Sequence, residues 1–169
     1  MKTTRRGFLA AGSAAILSAR ASGLQSVSGA NERLSIGMIG VGGRGTHLMN
    51  EVIRHRESHN AAVTAVCDVW QPNLQKAARR VKDTFGTDAR TFTRFGDLLD
   101  LHDIDAVMIA TPDFGHTPIM IEALKAKKDV YVEKPMALDV DNANEAVDLA
   151  RANERVGQVG TQRRSEGRW

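Results

Sequence analysis

The segment Gly40-Val41-Gly42-Gly43-Arg44-Gly45 restricts this chain more than any other. It follows a short apolar run, Leu34 to Ile39, and leads into Arg44 to Arg56, where Leu48, Val52 and Ile53 recur at helical spacing. The local order is therefore strand, glycine turn, helix. In the pattern G-x-G-x-x-G each glycine has its own physical task. Gly40 permits a tight turn out of the strand, Gly42 keeps side-chain atoms away from an approaching ligand, and Gly45 lets the helix lie close on the sheet. With Gly43 and Arg44 they leave backbone N–H groups free at a helix start, where the helix dipole favours an anion. The anion this arrangement suits is a pyrophosphate.

The remainder of the chain repeats the alternation. Ala62 to Cys67 reads as a second strand, and Pro72 opens a helix that runs to about Phe85 and ends at Gly86. Arg90 to Thr93 is a short strand, and Gly96 to Leu101 supplies a turn or two of helix. Ala106 to Ala110 is a strongly apolar strand stopped by Thr111 and Pro112. Pro118 to Ala126, Val130 to Val132, Val140 to Asn153 and Val156 to Val159 continue as helix, strand, helix and strand. Such alternation with short connections predicts an α/β fold built on a doubly wound parallel sheet of the Rossmann type.

The second strand turns a phosphate turn into a dinucleotide site. It ends at Asp68, 23 residues after Gly45, where an acid is expected to accept hydrogen bonds from the adenosine ribose. The competing reading of Asp68 is a cap for the helix near Pro72. A carboxylate there repels the extra phosphate of NADP, and Val69, Trp70 and Gln71 bring no compensating cation. NAD is therefore expected in preference to NADP.

Composition removes other function classes. The formal charge is +3, but the first thirty residues hold four of the 23 basic residues and none of the 20 acidic ones, so the rest carries −1. That balance gives a nucleic-acid partner no electrostatic support, and an aromatic content of 5% offers no base-stacking platform. A single cysteine, Cys67, excludes an intramolecular disulfide and reads as a small core residue. His47, His55, His59 and His102 read as surface residues.

The first thirty residues read as an address. Thr4-Arg5-Arg6-Gly7-Phe8-Leu9, a mildly apolar run to Leu17, and small residues around Ala19 to Ala21 and Ser28 to Ala30 look like a twin-arginine export signal followed by a linker. The run is too short for a stable membrane anchor. This reading places the protein in the periplasm or another extracytoplasmic space. Twin-arginine export moves folded proteins, so an exported dinucleotide protein would bind its cofactor in the cytoplasm and keep it.

Three further segments carry a resemblance: Ala110-Thr111-Pro112-Asp113-Phe114-Gly115-His116, Val132-Glu133-Lys134-Pro135, and Gly160-Thr161-Gln162-Arg163-Arg164. With the glycine turn and Cys67-Asp68 they resemble the N-terminal half of the glucose–fructose oxidoreductase, inositol dehydrogenase and rhizopine-catabolism family (Gfo/Idh/MocA). The resemblance spans Leu34 to Arg164. It implies that Thr111 and Pro112 pass close to the nicotinamide ribose and that His116 lines the cofactor cleft. It also implies that Glu133 and Lys134 lie beside the nicotinamide, with Lys134 reaching cofactor and substrate, and that Gln162 closes the cleft. Chemistry supports Lys134 in part, because a cation beside a carboxylate can assist a hydroxyl proton or steady a developing alkoxide; the competing reading is a surface Glu-Lys pair at a proline turn. For His116 the competing reading is a packing or helix-cap histidine.

Members of that family continue into a second domain that binds substrate and drives the usual association of subunits. The expectation is thus a signal and linker over residues 1–30, an NAD-binding domain over 34–164, and only the truncated start of a second domain at 165–169. The principal acid/base would lie beyond Trp169. The chain is expected to bind dinucleotide without turning over substrate, as the cofactor domain of an oxidoreductase acting on a small sugar, polyol or related hydroxyl compound, a homo-oligomer at full length. Two alternatives stand beside this: an NAD-dependent, redox-assisted glycoside hydrolase, and a non-catalytic dinucleotide-binding module.

Overall fold

A computed structural model describes residues 33–161. The expected signal at residues 1–30 and the positions from Gln162 onward lie outside the described residues.

Six strands alternate with five helices among the described residues. The order is β1 (Leu34–Ile39), α1 (Gly43–His55), β2 (Ala61–Cys67), α2 (Gln71–Phe85), β3 (Arg90–Phe92), α3 (Phe95–Leu99), β4 (Ala106–Ile109), α4 (His116–Lys125), β5 (Asp129–Glu133), α5 (Val140–Ala152) and β6 (Gly157–Gly160). A single 3-10 turn, Asp113–Gly115, joins β4 to α4. All strands pair in parallel in the order β3-β2-β1-β4-β5-β6. This is the doubly wound Rossmann arrangement expected from the sequence, and its order reverses between β1 and β4.

The apolar runs form strands because both faces of the sheet are covered. Leu48 and Met49 of α1 and Leu74, Ala77 and Val81 of α2 pack with Ile36, Met38, Val63 and Val66 on one face. Leu98 of α3, Ile119, Met120, Ile121, Ala123 and Leu124 of α4 and Ala146 of α5 pack with Ile39, Cys67, Val107, Ile109 and Val132 on the other. Val63 and Val66 share a face although they stand three positions apart. The β1–β2 register slips there, from Ile36 opposite Val63 to Gly37 opposite Ala65, so Thr64 is the extra residue. Its hydroxyl meets that of Ser35 at 2.7 Å.

Local signals explain the helix ends. Gly86 closes α2 in the left-handed conformation at φ 72°, its N–H donating to the Lys82 carbonyl at 2.9 Å. Asp139 caps α5 by accepting from the Asn142 N–H at 2.8 Å, which holds its carboxyl below the ordinary value. The helix predicted from Pro118 begins two residues earlier, at His116. Proline is tolerated at its third position because the first four helical N–H groups lack intrahelical partners.

Register sets the site. Ile39 lies level with Cys67 and Ile109, Ile109 with Val132, and Glu133 with Gly160. The turns holding Gly40, Asp68, Thr111 and Lys134 therefore emerge at one edge, the carboxyl edge, where such sheets bind ligands.

Candidate dinucleotide site

The glycine turn is the tightest point of that edge. Gly40 has φ +81°, and a Cβ on it would lie 2.8 Å from the Ala110 carbonyl and the Thr111 nitrogen. Any other residue would be strained there and would also push β1 away from β4. At Gly45 a Cβ would overlap the carbonyl oxygen of Gly40. Gly43, by contrast, has nothing within 4 Å of its Cβ position. Gly42 is the N-cap of α1, with no capping side chain and no acid in the first helical turn. The helix start thus keeps free N–H groups and an uncompensated positive dipole end.

Asp68 faces this turn. Its Oδ2 accepts from the Val41 N–H at 2.9 Å and its Oδ1 from the Trp70 N–H at 2.8 Å. Asn73 Nδ2 also donates to Oδ2, at 3.4 Å. Asp68 therefore braces the glycine turn and shapes the entry to α2, while Oδ1 retains capacity for another donor. A cleft of about 450 Å³ opens between Gly40, Gly42, Asp68, Val69, Thr111 and Pro112. Asn73 and Phe95 also line it. Neither carries a sequence signal: Asn73 is a polar residue early in α2, and Phe95 opens the five-residue α3. Cys67 lies behind this cleft, buried, with its thiol pushed up to about 11 by burial and then by the neighbouring Asp68 charge. It is a core residue, as expected. His47, His55, His59 and His102 are exposed.

A second cleft of about 240 Å³ shares Ala110 and Thr111 with the first. Arg44, Asp113, His116, Glu133 and Lys134 complete it. The Thr111 hydroxyl is buried without a hydrogen-bond partner among the described residues, at the junction of the two clefts. The His116 ring is buried, with Nδ1 2.7 Å from the Pro135 carbonyl and Nε2 2.8 Å from the Thr111 carbonyl. It ties the turn after β4 to the turn after β5. The Thr117 hydroxyl adds a second tie by donating to the Met136 carbonyl at 2.8 Å.

Glu133 and Lys134 separate in role. Glu133 is buried, and its Oε1 lies 2.6 Å from both Nε and Nη2 of Arg44. Lys134 is exposed, follows Glu133 into a cis bond with Pro135, and has no partner for its ammonium group among the described residues. The carboxylate expected beside Lys134 is thus committed to Arg44, which leaves the lysine available to an incoming group. Gln162 lies outside the described residues.

The two connected clefts fit a dinucleotide. One end offers bare N–H groups and no side chain to fill the glycine cradle; the junction offers an unpaired hydroxyl; the far end offers a cation. Residues 34–161 match the model of the Gfo/Idh/MocA oxidoreductase family, NAD-binding Rossmann fold. The chain belongs to this family. Its described domain is the family's NAD-binding domain.

Among relatives, an inositol 2-dehydrogenase of Rubrobacter xylanophilus is 33% identical over 80% of this chain and 37% of its own length. A glycosyl hydrolase family 109 protein of Saccharopolyspora erythraea is 34% identical over 75% of this chain and 28% of its own. Among solved structures, the WlbA dehydrogenase of Bordetella pertussis, in complex with NADH and UDP-GlcNAcA, superposes with a TM-score of 0.71 at 25% identity, covering 80% of this chain and 40% of that one. The scyllo-inositol dehydrogenase of Lactobacillus casei, with NAD(H) and scyllo-inositol bound, gives 0.67 at 26% identity, covering 76% and 36%. The chain thus spans roughly a third of the length of these relatives. No helix among the described residues is long and apolar enough to cross a membrane.

Proposed function

We propose that this domain carries NAD for an oxidoreductase acting on a hydroxyl carbon of a sugar, polyol or sugar nucleotide. The observation that supports this reading is the unpartnered ammonium of Lys134 in a cleft that shares Thr111 with the dinucleotide cleft. NAD, when bound, supplies the hydride acceptor. The chain's own residues do the rest of what this domain does. The α1 start and glycine turn hold the pyrophosphate, Asp68 accepts from the adenosine ribose, and the Thr111 hydroxyl meets the nicotinamide ribose. Lys134 stabilises negative charge as a substrate hydroxyl loses its proton. The hydroxyl-rich ligands and the dehydrogenase names among the relatives support the substrate class.

A second reading is favoured by the family 109 relatives, which are as similar as the dehydrogenase. On this reading a sugar would be oxidised only transiently while a glycosidic bond is cleaved. Lys134 weighs toward the dehydrogenase, since redox-assisted glycosidases that resemble this family often lack that lysine. The test is an assay of the complete gene product with NAD, offered polyols, sugars and aryl glycosides in turn. Accumulating NADH supports the dehydrogenase; aglycone release without net NADH replaces it with the glycosidase. Export through the twin-arginine route and self-association at full length complete the proposal. Fractionating cells that express the complete gene tests the first, and the mass of the purified product in solution tests the second.

A further inference from the structure

The ion pair between Arg44 and Glu133 joins residues 89 apart in sequence, one on each side of the point where the strand order reverses. Arg44 is the second residue of α1, directly after the glycine turn, and Glu133 is the last residue of β5. Strand β4 lies between β1 and β5, so the arginine crosses two strand spacings, roughly 10 Å, over the end of β4. The carboxylate end is enclosed. Tyr131 Oη stands 3.5 Å from Glu133 Oε1, and the Lys134 N–H donates to Oε2 at 3.3 Å. Across from Glu133 in the β5–β6 register lies Gly160, where a Cβ would run into the Tyr131 hydroxyl and come within 3.0 Å of Oε1. Strand β6 thus leaves the room this carboxylate occupies. Glu133 also fixes the backbone nitrogen of Lys134 through its other oxygen.

We infer that Arg44 and Glu133 are positioning residues, a strut that sets the distance between the pyrophosphate turn and Lys134 at the far end of the cofactor site. This rests on the NAD-binding reading above. It reassigns Arg44, which its place in the glycine motif suggests as a phosphate ligand. Two guanidinium nitrogens meet one Glu133 oxygen while Nη1 lies 3.4 Å from His47 Nδ1, and the service of Arg44 to the cofactor is to hold the far end of the site in place. Glu133 serves through the same contact rather than by touching the nicotinamide. A guanidinium is suited to such a strut because its planar group, with two N–H donors on one oxygen, fixes direction as well as charge.

The strut makes a distinction that simple loss of stability does not. AMP occupies only the glycine-turn and Asp68 end; NAD needs both ends at the right separation. The test titrates the full 169-residue chain and its Glu133→Gln, Arg44→Met, Arg44→Lys and doubly substituted Arg44→Met/Glu133→Gln variants with NAD and with AMP, by calorimetry, and records each Tm. The expected result is NAD affinity about tenfold weaker in Glu133→Gln and Arg44→Met, with AMP affinity unchanged. The double variant is expected to be no weaker than the worse single, and Arg44→Lys to recover part of the loss. Arg44→Met weak with Glu133→Gln unchanged or tighter would overturn the inference and make Arg44 a direct phosphate ligand. A parallel fall in AMP and NAD affinity would overturn it as a general loss of structure. Failure of the unsubstituted chain to bind either ligand would instead sink the NAD-binding reading itself.

Discussion

The two ends of the site are made of different materials. The glycine-turn end, proposed to hold the pyrophosphate, is backbone: a glycine at φ +81°, a second glycine pressed against the first, and uncapped helical N–H groups, all within six consecutive residues. The Lys134 end, proposed to face the nicotinamide, is side chains gathered from afar. Arg44 reaches Glu133 across 89 positions, and His116 binds carbonyls of Thr111 and Pro135. Backbone sites are stiff and tolerate little substitution, because the offending atom meets main chain. Side-chain sites are adjustable, because a side chain can be exchanged without moving the backbone that carries it. A fold of this kind can keep one cofactor while its reactive end is altered for different substrates.

Substitutions sharpen that contrast. The largest effect belongs to the backbone end. Gly45→Ala sets a methyl group on the Gly40 carbonyl, and should cost about 3 kcal/mol of stability and remove dinucleotide binding. Gly43→Ala, with open space at its Cβ, should stay within about 0.5 kcal/mol of the parent. Denaturant melts of the two variants check this, and equal losses would show that the glycine turn is not the rigid element described.

At the other end, His116→Phe keeps the bulk and removes both ties between the Thr111 and Pro135 turns. It should cost about 2 kcal/mol, since the buried ring no longer donates to a carbonyl and the two turns lose the group that bridges them. AMP affinity should be untouched, because the loss is confined to the nicotinamide side. A melt paired with an AMP titration reads both, and a large fall in AMP affinity would mean that the two ends are not separable.

A smaller stability change than at His116 is expected at Asp68, which is only half-buried. Asp68→Ser should lower stability by about 1 kcal/mol, as the Val41 and Trp70 N–H groups turn to water or to the shorter hydroxyl. The same change removes the charge that opposes a ribose phosphate, so the NAD-to-NADP affinity ratio should fall by about tenfold. An unchanged ratio would assign Asp68 to bracing the turn alone.

What was legible in the sequence follows the same division. The glycine turn, Asp68 and the strand–helix alternation are local patterns, and the sheet order follows from them by topology. Strand β5 was read as Val130 to Val132 because its apolar centre is only three residues long; Asp129 and Glu133 join it through pairing with β4 and β6. Thr64 gave no sign of being an extra residue, since the run from Ala61 to Cys67 is apolar on both sides of it. The Arg44–Glu133 pair was invisible for a plainer reason. Each residue lies in its own motif, and nothing in either motif says that their side chains meet. Asn73 and Phe95 were missed because they line the cleft only after α2 and α3 have packed.

One titration tests the whole account most directly: NAD, NADP and AMP into the purified chain under identical conditions. NAD is expected to bind tightest, NADP weaker by about tenfold or more from the carboxylate of Asp68, and AMP weaker than NAD because only one end is filled. NADP binding as tightly as NAD, or AMP binding as tightly as the whole dinucleotide, would contradict it.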